Sequence, residues 1–204
     1  MGFVMPEVAV QRILQAGIKL LREQPNLFND IFNMYLLPDL ELLYGQERID
    51  QIRTWFNQTE IRVVQAWSLT AETIPCYSIC LTSDTEDETK AAINDYFGSD
   101  IENELKVGVF TSYVTIGIHG TREGDMVLWL YYILAHIMFK LKPMAESLGV
   151  QLHTWSAGDY FREDVKLPNN IWSRTVKFKC TTENIIPGDA LTEITDVEGT
   201  VDIE

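Results

Sequence analysis

The sequence is poor in positive charge, in cysteine and in long apolar runs. Its 204 residues hold 16 Lys and Arg against 30 Asp and Glu, a formal net charge of −14. Gripping a phosphate backbone takes clustered Lys and Arg, so this balance argues against nucleic-acid binding. It argues equally against anionic membrane surfaces. The shortage is steepest at the C-terminus, where Thr181 to Glu204 carries seven acids and no Lys or Arg. The rest of the chain still has 23 acids against 16 bases. Cysteine is scarce: Cys76, Cys80 and Cys180 make an odd count without disulfide-framework spacing, which points to a reducing compartment. The most apolar run, Met126 to Leu141, is short for a bilayer span and contains His136 and Lys140. No signal-peptide pattern opens the chain. Met1 to Pro6 lacks a basic start, and Glu7, Arg12, Lys19 and Arg22 interrupt the apolar residues after it. A soluble cytoplasmic protein is expected. Apolar residues at 46% and charged residues at 23% are ordinary for a globular chain, which excludes disorder throughout, a collagen-like chain and a disulfide-stapled miniprotein.

Periodicity predicts an α+β fold. Pro6 opens a helix whose apolar face runs through Val8, Ile13, Ile18, Leu20 and Leu21, and Pro25-Asn26 ends it. Leu27 to Tyr35 predicts a second helix, stopped by Pro38, and Ile49 to Asn57 is ambiguous. Ile61 to Leu69 and Ile74 to Thr82 read as strands that a turn at Thr70-Ala71-Glu72 would join into a hairpin. Asp84 to Phe97 reads as a helix, with Asp84 as cap and Asp87 and Glu88 in its first turn. Leu105 to His119 reads as a long strand, and the apolar phase shifts between Val107/Val109 and Val114/Ile116/Ile118, which suggests a bulge. The main helix runs from Gly124-Asp125 towards Leu148, with Pro143 kinking or ending it and Gly149 as C-cap. Gln151 to Ala157 is a further strand. In the last strand, Trp172 to Thr181, Trp172, Val176, Phe178 and Cys180 share one face. The expected architecture is a mixed, mainly antiparallel sheet with two helices packed on it, preceded by N-terminal helices. It divides into a helical segment at 1–57, an α+β domain at 58–186 and an acidic extended arm at 187–204.

Residues with chemical potential are few. Asp84, Glu86, Asp87 and Glu88 offer oxygen ligands to a divalent ion, but lack the glycine and spacing of an EF-hand. A helix N-terminus collecting acids is the plainer reading. His119, His136 and His153 have no ligand spacing, and Cys76 and Cys80 on one strand lie about 13 Å apart, too far to share a metal. There is no G-x-S-x-G, P-loop or G-x-G-x-x-G. Ser156-Ala157-Gly158-Asp159 reads as a turn after a strand. Neither an enzyme nor a cofactor is expected.

The main helix is apolar or aromatic on nearly every face, from Met126 through Trp129 and Tyr132 to Phe139. Such a helix must be covered on all sides, and one sheet covers only one. Two readings stay open. Either the N-terminal helices cover the rest, or Trp129 and Tyr132 belong to a subunit interface. Lys177 and Lys179, on the polar face of the last strand, are a solvated face or a landing site for acidic segments of a neighbour.

The order of these elements carries a resemblance. A strand pair, an acidic helix, a long strand ending Val114-Thr115-Ile116-Gly117-Ile118-His119-Gly120, an apolar helix, a strand into Ser156-Ala157-Gly158-Asp159-Tyr160 and a last strand Trp172-Ser173-Arg174-Thr175-Val176-Lys177-Phe178 come in succession. Over residues 58–186 this resembles the tail terminator and neck proteins of tailed bacteriophages, particularly those with contractile tails. The resemblance implies a structural virion protein, assembled in the host cytoplasm as a homo-oligomeric, hexameric ring. The ring would cap the tail tube, touch the sheath where the tail is contractile, and join the head-side connector. DNA would pass through without being specifically bound, and Asp84, Glu86, Asp87 and Glu88 would line the bore or form a docking surface. The arm would reach a neighbour by strand addition through Ile194, Val197 and Val201. Another connector, tail-completion or baseplate component is the nearest alternative. A small acidic metal-dependent enzyme and a monomeric binding module are the alternatives of other classes.

Overall fold

The computed structural model describes residues 4–35, 45–65, 74–86, 95–97, 105–121, 126–159 and 171–187. Among the described residues three helices come first: α1 (Pro6–Glu23), α2 (Pro25–Tyr35) and α3 (Gln46–Gln58). Pro6 and Pro25 each open a helix, where a missing N–H costs nothing. In α1 the buried residues Ala9, Val10, Ile13, Leu14, Gly17, Ile18 and Leu21 recur every three or four positions and form one stripe. The ambiguous stretch around Ile49 is helical because Ile49, Ile52 and Phe56 make such a stripe. It docks through Phe56, whose ring lies tilted against that of Phe28 with centroids 5.1 Å apart.

The remaining elements are β1 (Arg62–Gln65), β2 (Cys76–Glu86), β3 (Asp95–Phe97), β4 (Leu105–Thr121), α4 (Met126–Lys140), α5 (Lys142–Ser147), β5 (Val150–Asp159) and β6 (Ile171–Pro187). The sheet order is β1-β2-β4-β6-β5, with β3 paired to β4 beyond the end of β2. All pairings are antiparallel except β1 with β2. The α+β class and the mixed, mainly antiparallel sheet behind N-terminal helices are therefore as expected.

Several local expectations are corrected. Arg62 stands beside Cys76 and Gln65 beside Ile79 in a parallel register, which excludes a hairpin. The stretch from Asp84 does not start a helix. β2 runs on to Glu86 because β4 offers it partners as far as Phe110, and Asp95–Phe97 pairs with β4 as β3. The irregularity near Val114 lies on β2, between Leu81 and Ser83, while β4 pairs with β6 without a break. The phase shift on β4 records a change in which face is covered: Val109 is buried on the face opposite to Val114, Ile116 and Ile118. Pro143 does end the main helix at Lys140, and the chain restarts as the short α5 with Pro143 in its first turn. Gly149 comes next with φ +81°, a left-handed conformation that suits glycine.

One row shows how the core is built. Ile79, Ile116 and Val176 stand side by side across β2, β4 and β6. Tyr77, Ile118, Val114 and Phe178 flank them on the same face, under Ile13 and Leu14 of α1 and Leu130, Ile133 and Ile137 of α4. Each such side chain, fully buried, contributes about 1.5–3 kcal/mol. Gly17 brings α1 and α4 into close contact, since a Cβ there would collide with Ile137. The Tyr77 hydroxyl donates to the Leu130 carbonyl at 2.8 Å and ties sheet to helix. Burial holds that phenol well above its ordinary value, so it stays a donor.

The N-terminal helices cover the far side of α4. Trp55 of α3 meets Trp129 edge-on at 5.7 Å, and the Arg48 guanidinium lies 5.0 Å from the Trp129 ring centroid. Arg22 of α1 fastens α3 by donating to the carbonyls of Phe56 (3.2 Å) and Thr59 (2.6 Å) at its C-terminus.

Candidate functional site

The sheet face turned away from the helices is polar and made of small residues. Row by row it reads Cys76–His119–Ser173, Ser78–Gly117–Thr175–Gly158 and Cys80–Thr115–Lys177–Ser156. His119 reaches diagonally over Gly117, with Nε2 2.8 Å from the Ser78 hydroxyl and Nδ1 2.7 Å from the Ser173 hydroxyl. Both ring nitrogens are thus satisfied by groups that can donate or accept. Burial lowers the His119 pKa to about 4, so the ring is neutral at pH 7. A serine beside a histidine suggests acyl transfer, but the Ser78 side chain is fully buried and out of reach of a substrate. Its chemistry is that of a staple joining β2, β4 and β6. Sequence reasoning missed it, since Ser78 and Ser173 lie 41 and 54 residues from His119.

The two sheet edges differ. At β1, Gln11 of α1 donates to the Val63 carbonyl at 3.3 Å and accepts from Gln65 at 2.9 Å, so a helix side chain covers a short edge. At β5, no described strand pairs with the outer edge of ten residues. This edge has a bulge between Leu152 and Trp155, and it holds no Lys, Arg, Glu or Pro. Natural edge strands are blunted by such residues or by bulges, and of these devices β5 carries the bulge. Beside it lies an apolar ledge. Phe139 is 60% exposed and stacks on Trp155 at 5.4 Å and 15°. Trp155 in turn meets Phe178 and Tyr131 edge-on, and Arg174 lies over the Tyr131 ring at 4.8 Å. Lys177 is exposed and Lys179 half-buried on the polar face of β6, next to this edge.

The other residues singled out by sequence are scattered. Trp129 is only 8% exposed and packs against its own chain's Trp55 and Arg48, and Tyr132 is half-buried beside Tyr131. The covering of Trp129 comes from the N-terminal helices. Asp84 is an exposed residue of a strand, and its Oδ1 accepts from the Ser112 hydroxyl. Glu86 ends β2. Asp87, Glu88, Ile194 and Val197 lie outside the described residues. Among the described residues no group of three or more His, Cys, Asp or Glu is placed to hold a metal ion, and no helix is long and apolar enough to cross a membrane. Cys76, Cys80 and Cys180 are thiols, not joined in disulfides. Burial, reinforced by the nearby Asp84 carboxylate, pushes the Cys180 thiol up to about 12. That thiol is inert at neutral pH.

Two shallow grooves are polar and largely self-paired. One runs along α3 past Glu47, Asp50 and Trp55. The other lies between α1 and β1, where Lys19 pairs with Glu23 at 3.8 Å and Arg62 with Glu60 at 3.2 Å.

Among the described residues the fold is α+β: one sheet with helices against one face and two unlike edges. No protein-family model matches the sequence, and no curated protein matches it.

Proposed function

We propose that the chain is a structural subunit of a phage tail, a tail terminator or adjacent neck protein that works as a ring. The observation that carries this reading is the difference between the two sheet edges. A ring closes through head-to-tail contacts, which need two unlike surfaces on each subunit. One end of this sheet is short and capped by Gln11. The other presents a ten-residue strand with no described strand beyond it, next to the Phe139–Trp155 ledge. The net charge of −14 agrees with a ring through which DNA must slide without sticking. In this reading the mechanism is geometric: the ring stops tube growth and offers a surface to the head-side connector, within the virion.

Light scattering after size exclusion, with negative-stain images of the same peak, tests it. Six copies of the 23.4 kDa chain weigh about 140 kDa. Rings of that mass, alone or on added tail tubes, are the expected result. A monomer under both conditions overturns the reading.

A further inference from the structure

We propose that the outer edge of β5 receives the C-terminal arm of a neighbouring copy as an added strand, with residues 195–204 alternating across the sheet. This rests on the ring reading and names its contact. Three observations point to it. First, β5 is an edge with no described strand on its outer side and with Asp159 at its end as its one Asp, Glu, Lys or Arg, and such an edge can extend the sheet by one strand. Second, the arm has the matching pattern. Val197, Val201 and Ile203 occupy one parity, with Gly199 between them, and Asp196, Glu198, Asp202 and Glu204 occupy the other. Period two is what a half-buried strand requires.

Third, the two faces beside β5 differ as the arm's two sides differ. On the helix side lie Phe139 and Trp155, an apolar ledge for the valines and Ile203. On the other side stand Lys177 and Lys179 of β6. Lys177 has only Ser156 beside it on β5, and the next row ends in Gly158, where a Cβ would meet nothing within 4 Å. Small edge residues leave a path for Lys177 towards acids on an added strand. The donor is another copy because of where the arm starts. Val150, the first residue of β5, pairs with Thr182, and β6 runs on five residues past that pair to Pro187, so β6 ends beyond the start of its own β5.

Parity makes the idea testable in full-length protein. Ala157 lies in the Val176 row on the helix side and Ser156 in the Lys177 row on the other, and both are exposed. In a Cys80→Ser background, a chain with Ala157→Cys is mixed with a size-tagged chain carrying Val197→Cys, Val201→Cys, Glu198→Cys or Asp202→Cys, and oxidised mildly. The expected result is a disulfide between tagged and untagged chains for the valine positions and a several-fold lower yield for the acidic ones. Ser156→Cys should reverse the preference. Lys177→Glu with Lys179→Glu should cut the yield, and Asp196→Lys with Glu198→Lys should restore it. Rings of the expected mass that give no inter-chain disulfide, or equal yields at both parities, overturn the docking while leaving the ring reading intact. A chain that stays monomeric and links only within itself overturns both the neighbour as donor and the ring.

Discussion

The Ser78 hydroxyl and Nε2 of His119 lie 2.8 Å apart with both side chains fully buried. An imidazole held neutral in this way links stability to pH. Its pKa falls from 6.5 in the open chain to about 4 in the folded one. Between those values the unfolded chain binds the extra proton, so stability is fully present above about pH 6.5 and drains away as pH falls towards 4. At 1.36 kcal/mol per unit the loss is up to about 3 kcal/mol. Urea midpoints at pH 7, 5.5 and 4 measure it. Acidic side chains contribute their own slope, so the comparison is with His119→Gln, which should be weaker at pH 7 and flatter below it. Parallel pH slopes in the two proteins would show that His119 is not the group responsible.

Gly117 and Gly158 belong to the same row of the sheet and should respond oppositely to a methyl group. A Cβ on Gly117 would meet both Nε2 of His119 and the Ser78 hydroxyl, and neither side chain has room to retreat. Gly117→Ala should cost about 1–3 kcal/mol, the range for overpacking. A Cβ on Gly158 meets nothing within 4 Å, so Gly158→Ala should be neutral or stabilise by about 0.5 kcal/mol through lost chain entropy. Thermal melts of the two variants decide the point, and equal melting temperatures would contradict the crowded geometry.

Much of this fold is legible where the signal is local. Val176, Phe178 and Cys180 face the core and Lys177 faces out, as alternation along one strand dictates. Pro143 and Gly149 fall at the end of α4 and after α5 for backbone reasons that operate at single residues. Trp172 shares the parity of the core residues yet is 57% exposed, because it lies at the end of β6. The acids after Ser83 imitate a helix N-terminus, but the ladder between β2 and β4 extends past Asp84 and overrides that local preference. The place of β5 at the edge of the described sheet was not legible in the same way. A helix apolar on all sides does not announce that Phe139 remains outside while Trp129 is covered, and only the sheet order makes β5 an edge.

The rival metal-dependent enzyme depends on gathering Asp84, Glu86, Asp87 and Glu88. Hard cations take six or more oxygen ligands, and Asp84 already accepts the Ser112 hydroxyl from an extended strand instead of lining the first turn of a helix. Calorimetric titration with magnesium, manganese and calcium should therefore give no saturable heat. A saturable heat that disappears in Asp87→Ala would restore the enzyme reading and count against a purely structural role.

Trp129→Glu separates folding from assembly. Trp129 lies between Trp55 and Arg48 of its own chain, so the mutation buries a carboxylate in an aromatic contact that holds α3 against α4. Arg48, over the ring, is exposed and well hydrated, and pairing with it would recover only part of the desolvation cost. The loss should reach at least about 3 kcal/mol, comparable to truncating a buried Trp, and should appear in the isolated chain as a lower unfolding midpoint. Phe139→Glu, at a 60% exposed position, should leave that midpoint almost unchanged and reduce ring formation instead. Chemical denaturation of each variant, with its mass measured by light scattering, reads both effects. A Trp129→Glu chain that folds with the parent's midpoint but fails to assemble would place Trp129 at a subunit boundary, and the covering of α4 by the N-terminal helices would have to be abandoned.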